Sequence, residues 1–567
     1  MAGTGLLLAI GACALLPGTA PVSRADLLIV NGQLYDGRGS APQAGGLAIR
    51  GGHVVAYGDV SGWQAAKTVN AEGLAIAPGF INTLSWANES LLQDGRSLSD
   101  LRQGVTLEVM GEGTSMGPLN AAMQAERRQR QSDIRYDVSW TTLGGYLDHL
   151  AAHGISTNVA SFVGATTVRI HEIGYANRAP TPDELARMQA LVAQAMREGA
   201  LGVGASLIYA PANYAGTEEL TALVKTAAQY GGGYIAHLRS EGNRLLEALD
   251  ELISIARAAH TWAEVYHLKA AGEANWPKMQ QAIARIDAAR RDGLAISADM
   301  YAYTAGATGL DAAMPPWVQE GGVDAWVQRL QDPATRARVL EEIRTPTNAW
   351  ENLYLGAGSA ERVLLVGFRN PALKPLTGKT LAEVARLRGV SAEDAIIDLV
   401  IEDHSRVGTV YFLMSEHNVR LGLQQPWVSL GSDESSQAPE GPFLLSQPHP
   451  RAYGNTARFI GHYGRDEHLF STADAVRRLT GLPATNFHLR NRGCLDPGCA
   501  ADVVLFDPAT IIDHADYAQP QQFATGVRDV FVNGVQVLDH GAATGARAGQ
   551  VVRGPGWTGW AKTGAGQ

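Results

Sequence analysis

Cysteine is almost absent: Cys13, Cys494 and Cys499 are the only three in 567 residues, too few for a disulfide framework. Cys494 and Cys499 flank Leu495-Asp496-Pro497-Gly498, which reads as a turn carrying two small residues, with a link between them as the alternative. No other Cys or His stands beside the pair at ligand spacing, so it makes a poor metal site. Charge is also scarce, at 18% of residues, with a net charge of -10 and no long Lys/Arg run. That argues against a nucleic-acid surface or a polybasic membrane patch. Past the N-terminus no segment has the roughly 18 uninterrupted apolar residues that cross a bilayer. The 64 glycines follow no period, which excludes collagen-like repetition. What remains is a globular chain with a small-molecule partner, and self-association is left open.

With 46% hydrophobic residues the chain can bury a large core, and its length suits two or three domains or one large α/β barrel with appendages. Residues 5–17 form an apolar run followed by Gly18-Thr19-Ala20 and Ser23-Arg24-Ala25, small-residue sites of the kind where a secretory leader is cut. We read 1–25 as a signal peptide and the protein as periplasmic or secreted. The first four residues carry no positive charge, so a cytoplasmic protein with an inert leader is the alternative.

Both ends of the remaining chain are β-rich. Near the start, Asn31-Gly32 and Gly51-Gly52 separate apolar runs, and Val530 to Leu538 is interrupted by Asn533-Gly534; each pair supplies the positive φ of a hairpin turn. The two ends, 26–75 and 486–567, are expected to form one small β-sandwich. Between them, from 76 to 485, strand-like runs alternate with amphipathic helical stretches such as Asp183 to Glu198. Eight such runs end near Leu84, Met110, Val163, Ser206, His237, His267, Asp299 and Asp433. Eight βα units predict a (β/α)8 TIM-like barrel with its active site at the carboxyl ends of the strands. The stretch from about 312 to 425 is too long for one crossover and reads as an insertion over the barrel mouth.

Several of these strands end in a functional side chain: His237, His267, Asp299 and Asp433. The spacings, 30 residues between the histidines and 32 from His267 to Asp299, are one βα unit each. They return the side chains to one rim, and two imidazoles with carboxylates are ligands that Zn²⁺ accepts. Singly, each has an ordinary alternative: a hydrogen-bonded core His, or an Asp that caps a helix.

The chain resembles the amidohydrolase superfamily and within it the D-aminoacylase (N-acyl-D-amino-acid deacylase) group. The resemblance is carried by Ala77-Pro-Gly-Phe-Ile81, Gly104-Val-Thr106, Glu198-Gly-Ala-Leu-Gly202, Leu207-Ile-Tyr-Ala-Pro211, Tyr234 to Glu241, His267-Leu-Lys269, Asp299 to Gly306, Gly431-Ser-Asp433, His449 to Gly454 and Ala501 to Asp507. It implies zinc-assisted amide hydrolysis, with Asp433 as general acid/base. It also implies Lys269, Tyr209 and Arg169 as groups that hold the substrate, each with a structural role as the alternative. Two departures stand out. Where the family has His-x-His on the first strand this chain has Leu84 and Trp86, and where it has a ligating Cys this chain has Gly113, with Glu112 next to it. The expected centre is therefore one zinc per chain on His237, His267 and Glu112. Three readings follow: an N-acyl amino acid hydrolase, with D configuration open; a metal-dependent hydrolase of dipeptides, cyclic amides or esters; and a binding protein that has lost catalysis along with the missing ligands.

Overall fold

In a computed structural model, which describes residues 23–560, the two chain ends form one nine-stranded sheet beside the barrel. Strands β1 (Ser23–Leu34), β2 (Gln43–Arg50), β3 (His53–Gly58), β4 (Trp63–Asn70) and β5 (Ala75–Pro78) come from the start of the chain. The signal-peptide reading for 1–25 falls almost wholly outside the described residues, and Ser23, Arg24 and Ala25 already pair along β4. From the C-terminal side, β18 (Val503–Phe506) lies antiparallel to β5. Leu27, Ile29, Leu47, Ile49, Ile76, Val503, Leu505 and Phe531 share one buried cluster, so strands distant in sequence close on a common core.

The two Asn-Gly pairs behave differently. Asn533-Gly534 makes the expected hairpin between β19 (Val527–Val532) and β20 (Val535–Asp539), with φ of 50° and 80°. Asn31-Gly32 does not turn the chain: it lies inside β1, where the register with β2 slips between Ile29 and Gly32. The positive φ of Asn31, 59°, is used for a bulge. There β1 exchanges β4 for β5 as neighbour, and a Cβ on Gly32 would stand 2.4 Å from Ile76 Cδ1. Cys494 and Cys499 form a disulfide, their Cα atoms 6.0 Å apart. The turn between them folds back through Cys499 N–H to Asp496 O and the positive φ of Gly498, which brings the pair within bonding range.

The barrel strands are β6 (Phe80–Asn82), β7 (Val105–Met110), β8 and β9 (Asn158–Ser161 and Val163–Gly164, one segment broken at Phe162), β10 (Gly202–Ser206), β11 (Gly233–His237), β12 (Ala263–Val265), β13 (Ile296–Met300) and β17 (Val428–Leu430). All of their residues are buried, as parallel strands covered on both faces should be. The ring closes where the segment after β6 meets the segment after β17. There Thr83 N–H donates to Leu430 O, Asp433 N–H to Leu84 O and Trp86 N–H to Glu434 O. The helix Pro182–Arg197 starts as its sequence demands, with Thr181 and Glu184 in a capping box.

The insertion contributes β15 (Val363–Gly367) and β16 (Gly408–Tyr411), which form an antiparallel sheet with β14 (Gly306–Gly309) just before it, with helices between them. At the other end of the chain, residues 546–560 leave the small sheet assigned to them and run beside the barrel. Val159 N–H donates to Gln550 O and Val552 N–H to Val159 O. No helix among the described residues is long and apolar enough to cross a membrane.

Candidate metal centre and active-site cavity

Three strand ends bring Glu112, His237 and His267 together. His237 is the last residue of β11, and His267 follows β12 by two residues. His267 has φ 34° and Asp433 φ 53°. Neither is glycine, so both are held in a region that costs energy, as functional sites often require. The His267 backbone N–H is anchored on Asp299 Oδ1 at 2.6 Å. Glu112 stands between two glycines at positive φ. A Cβ on Gly111 would meet Phe162 O at 2.3 Å, and one on Gly113 would meet Ser206 Oγ at 1.9 Å. Position 113, where the resemblance predicts a ligating Cys, therefore has no room for a side chain as folded, and Glu112 lies at the centre beside it.

Glu112 Oε1 lies 3.0 Å from His267 Nε2 and 3.2 Å from His237 Nδ1, and the two nitrogens are 3.0 Å apart. A zinc ion with bonds of ~2.0 Å spaces its tetrahedral ligands by about 3.3 Å, so the triangle has the size of one face of such a site. These three residues form a buried group fit to hold a metal ion. Electrostatics agree. Burial would raise the Glu112 pKa, but the two imidazoles hold it well below the carboxylate range. Burial and Lys269 oppose charge on His267, yet Glu241 and Glu112 lift its pKa well above the usual value. A metal ion bound here would replace the protons these groups share.

Glu241, which spacing does not single out, stands behind the two imidazoles. Its Oε1 lies 3.0 Å from His267 Nδ1 and its Oε2 3.6 Å from His237 Nε2. The first contact fixes the His267 ring with its Nε2 toward Glu112; the second is too long for a hydrogen bond, and His237 Nε2 has no partner. Lys269 is buried and spends its charge here: its Nζ is 2.6 Å from Glu241 Oε1 and 2.8 Å from His267 Nδ1.

The centre opens into a cavity of about 760 Å³ whose wall includes Asp433, Lys269, Tyr209, Tyr301 and Arg451, with Trp326, Leu353 and Arg406 from the insertion. Arg451 Nη2 lies 2.8 Å from Asp433 Oδ2 in an ion pair and donates to the Asp433 carbonyl at 2.7 Å. Burial raises the Asp433 pKa, Arg451 opposes this, and the neighbouring Glu112 adds to it. The Tyr209 ring is 5.3 Å from that of His237.

Arg169 is not brought to the site. It is 1% exposed, donates to Glu219 at 2.6 Å and to the Ala176 and Arg178 carbonyls, and does not line the cavity. Its charge is consumed by an internal ion pair. The cation the sequence reading missed is Arg451. It is also 1% exposed, but its Nε and Nη1 have no partner and its Cζ lies 4.3 Å from the Tyr301 ring centroid. His449-Pro-Arg-Ala-Tyr-Gly454 was visible as a motif, and only the folded chain shows that its Arg reaches Asp433.

Residues 67–538 match the model of the amidohydrolase family. The chain is 33% identical to a D-aminoacylase of Alcaligenes xylosoxydans xylosoxydans, covering 93% of this chain and 97% of that protein. Among solved structures it is similar to a D-aminoacylase with a binuclear metal centre, described by one-metal activation and second-metal attenuation (TM-score 0.76, 30% identity, 93% and 100% of the two chains). It is similar also to an N-acyl-D-glutamate deacylase from Bordetella bronchiseptica, complexed with zinc and a phosphonate that mimics the tetrahedral intermediate (TM-score 0.77, 27% identity, 94% and 100%).

Proposed function

The chain belongs to the amidohydrolase family, and we propose that it hydrolyses the amide bond of N-acyl-D-amino acids with one zinc ion held by Glu112, His237 and His267. The observation that carries this reading is the buried triangle of donor atoms, 3.0–3.2 Å on a side, on the wall of the cavity that Asp433 also lines. Zinc in such a site acts as a Lewis acid and lowers the pKa of water toward about 7.

The chain's own groups supply the rest. Asp433 takes the proton of the attacking water and returns it to the amide nitrogen as the C–N bond breaks, so one carboxylate serves as base and then as acid. Arg451 offers two unpartnered N–H-bearing nitrogens, Nε and Nη1, beside the cavity, and a guanidinium with free donors is matched to the α-carboxylate of an amino acid. Tyr301, whose hydroxyl is buried without a partner, donates to the same group. Lys269 keeps Glu241 and His267 in place, and Tyr209 packs on His237. The proposed location is periplasmic or secreted: the Cys494–Cys499 disulfide suits an oxidising compartment, as does the apolar run at 5–17.

The test is a hydrolysis screen of N-acetyl-D- and N-acetyl-L-amino acids beside dipeptides, with zinc measured in the same preparation. Turnover of the D series by protein holding about one zinc is expected. Zinc-loaded protein that leaves the D series intact would overturn the proposal.

A further inference from the structure

Trp86 stands where the resemblance predicts the second His of a His-x-His pair, and its place is fixed by more than packing. Its backbone N–H donates to Glu434 O, and on the next segment Asp433 N–H donates to Leu84 O, so the ends of the first and last barrel strands are zipped together around it. Leu84 is fully buried in an apolar cluster with Ile81, Leu107 and Phe162. Trp86 instead lines the cavity. Its indole N–H lies 3.1 Å from Glu112 Oε2 and 3.0 Å from Asp433 Oδ1.

Those two oxygens are the ones the zinc triangle and the Arg451 pair leave over. Glu112 presents Oε1 to the histidines and Asp433 presents Oδ2 to Arg451. Two carboxylate oxygens converging in a buried site need a positive partner, and here that partner is a neutral N–H dipole. We propose that Trp86 is a positioning residue that takes the place of a second cation: its shared N–H holds Glu112 and Asp433 together and fills the gap between them, so the enzyme binds a single zinc and keeps its activity when zinc is in excess. The inference rests on the one-zinc hydrolase reading above and adds to it an insensitivity that the D-aminoacylase with second-metal attenuation does not share.

The test uses the intact holoenzyme and two variants. Trp86→Phe keeps an aromatic ring and removes the N–H; Trp86→His offers a metal ligand at the same position. Each is equilibrated with zinc from one equivalent to about a hundredfold excess, desalted, and assayed for metal content, kcat and KM. Wild type is expected to hold one zinc throughout with constant kcat. Trp86→Phe is expected to hold one zinc with KM within about twofold and kcat lower by about tenfold, because a general base displaced by a fraction of an ångström loses its alignment. Trp86→His is expected to gain a second zinc and to lose turnover as it does so. Wild type that takes up two zinc ions or slows in excess zinc overturns the proposal. So does a Trp86→Phe enzyme with wild-type kcat, or a Trp86→His enzyme that stays at one zinc. The parent reading fails separately, if wild type holds no zinc at all; one zinc in wild type with an unaltered Trp86→Phe enzyme sinks the clamp alone.

Discussion

Glu108 and Glu112 lie four residues apart, Glu108 on β7 and Glu112 just past its end, both buried, and their chemistry is opposite. Glu108 accepts hydrogen bonds from the hydroxyls of Ser85, Ser97 and Thr157. Burial raises its pKa, and the three hydroxyls only reduce the rise. Glu112 meets the same burial penalty but faces two imidazoles, and its pKa falls well below the ordinary value. The contrast repeats between Glu264 on β12, surrounded by Ser297, Ser429 and Asn486, and Glu241 at the mouth, surrounded by Lys269 and the histidines. Burial alone leaves Glu108 and Glu264 as neutral acids that stitch strands together; imidazoles and an ammonium in contact make Glu112 and Glu241 anions, while Asp433, whose contacting cation is Arg451, stays raised. For these four glutamates the two uses separate by depth.

The comparison breaks most severely if the anion at the mouth is removed. Glu112→Gln is expected to cost zinc affinity more than the roughly 10–100-fold that loss of an outer-shell partner costs, and turnover with it. Zinc retention during dialysis against a chelator reads this directly, and unchanged stoichiometry would take Glu112 out of the ligand set. Asp433→Asn is expected to be milder in metal and nearly as severe in rate: zinc content unchanged, kcat down by about 10²–10⁴. Near-normal turnover in that variant would end the assignment of Asp433 as general base.

The sequence showed the mouth better than the interior. His237 and His267 were legible because each ends a strand one βα unit after the last, and period alone puts them on one rim. Glu112 was legible only by its neighbourhood, since the resemblance marks a missing Cys and glutamate is the nearest ligand. Arg169, expected at the site, and Arg451, for which no role was expected, are told apart only by their tertiary partners. Arg169 finds Glu219 fifty residues away, whereas Arg451 finds Asp433 and keeps two nitrogens free. Asn31-Gly32 has the φ preference of a hairpin turn, but the same preference serves a bulge where a long strand changes partners. Glu241 and Trp86 could not be assigned from spacing, for their effects pass through hydrogen bonds to side chains on other strands.

The smallest effect sharpens the interior half of the comparison. Burial, with a contribution from Asp299, pushes the Glu264 carboxyl up to about 8 from its usual 4.5. The folded protein therefore keeps a proton on Glu264 that the unfolded chain releases above about 4.5. Wherever the folded state binds more protons, stability falls as pH rises, so this contribution is complete below about pH 4.5 and is lost as pH climbs through about 8. Glu264→Gln keeps the shape and removes the titration. Between pH 5 and pH 8 the wild-type melting temperature is expected to drop further than that of the variant, by on the order of 1–2 °C in a chain of this size. Measured by calorimetry on zinc-loaded protein, parallel curves would mean that Glu264 is charged in the folded state and that depth in the barrel does not separate the two kinds of carboxylate.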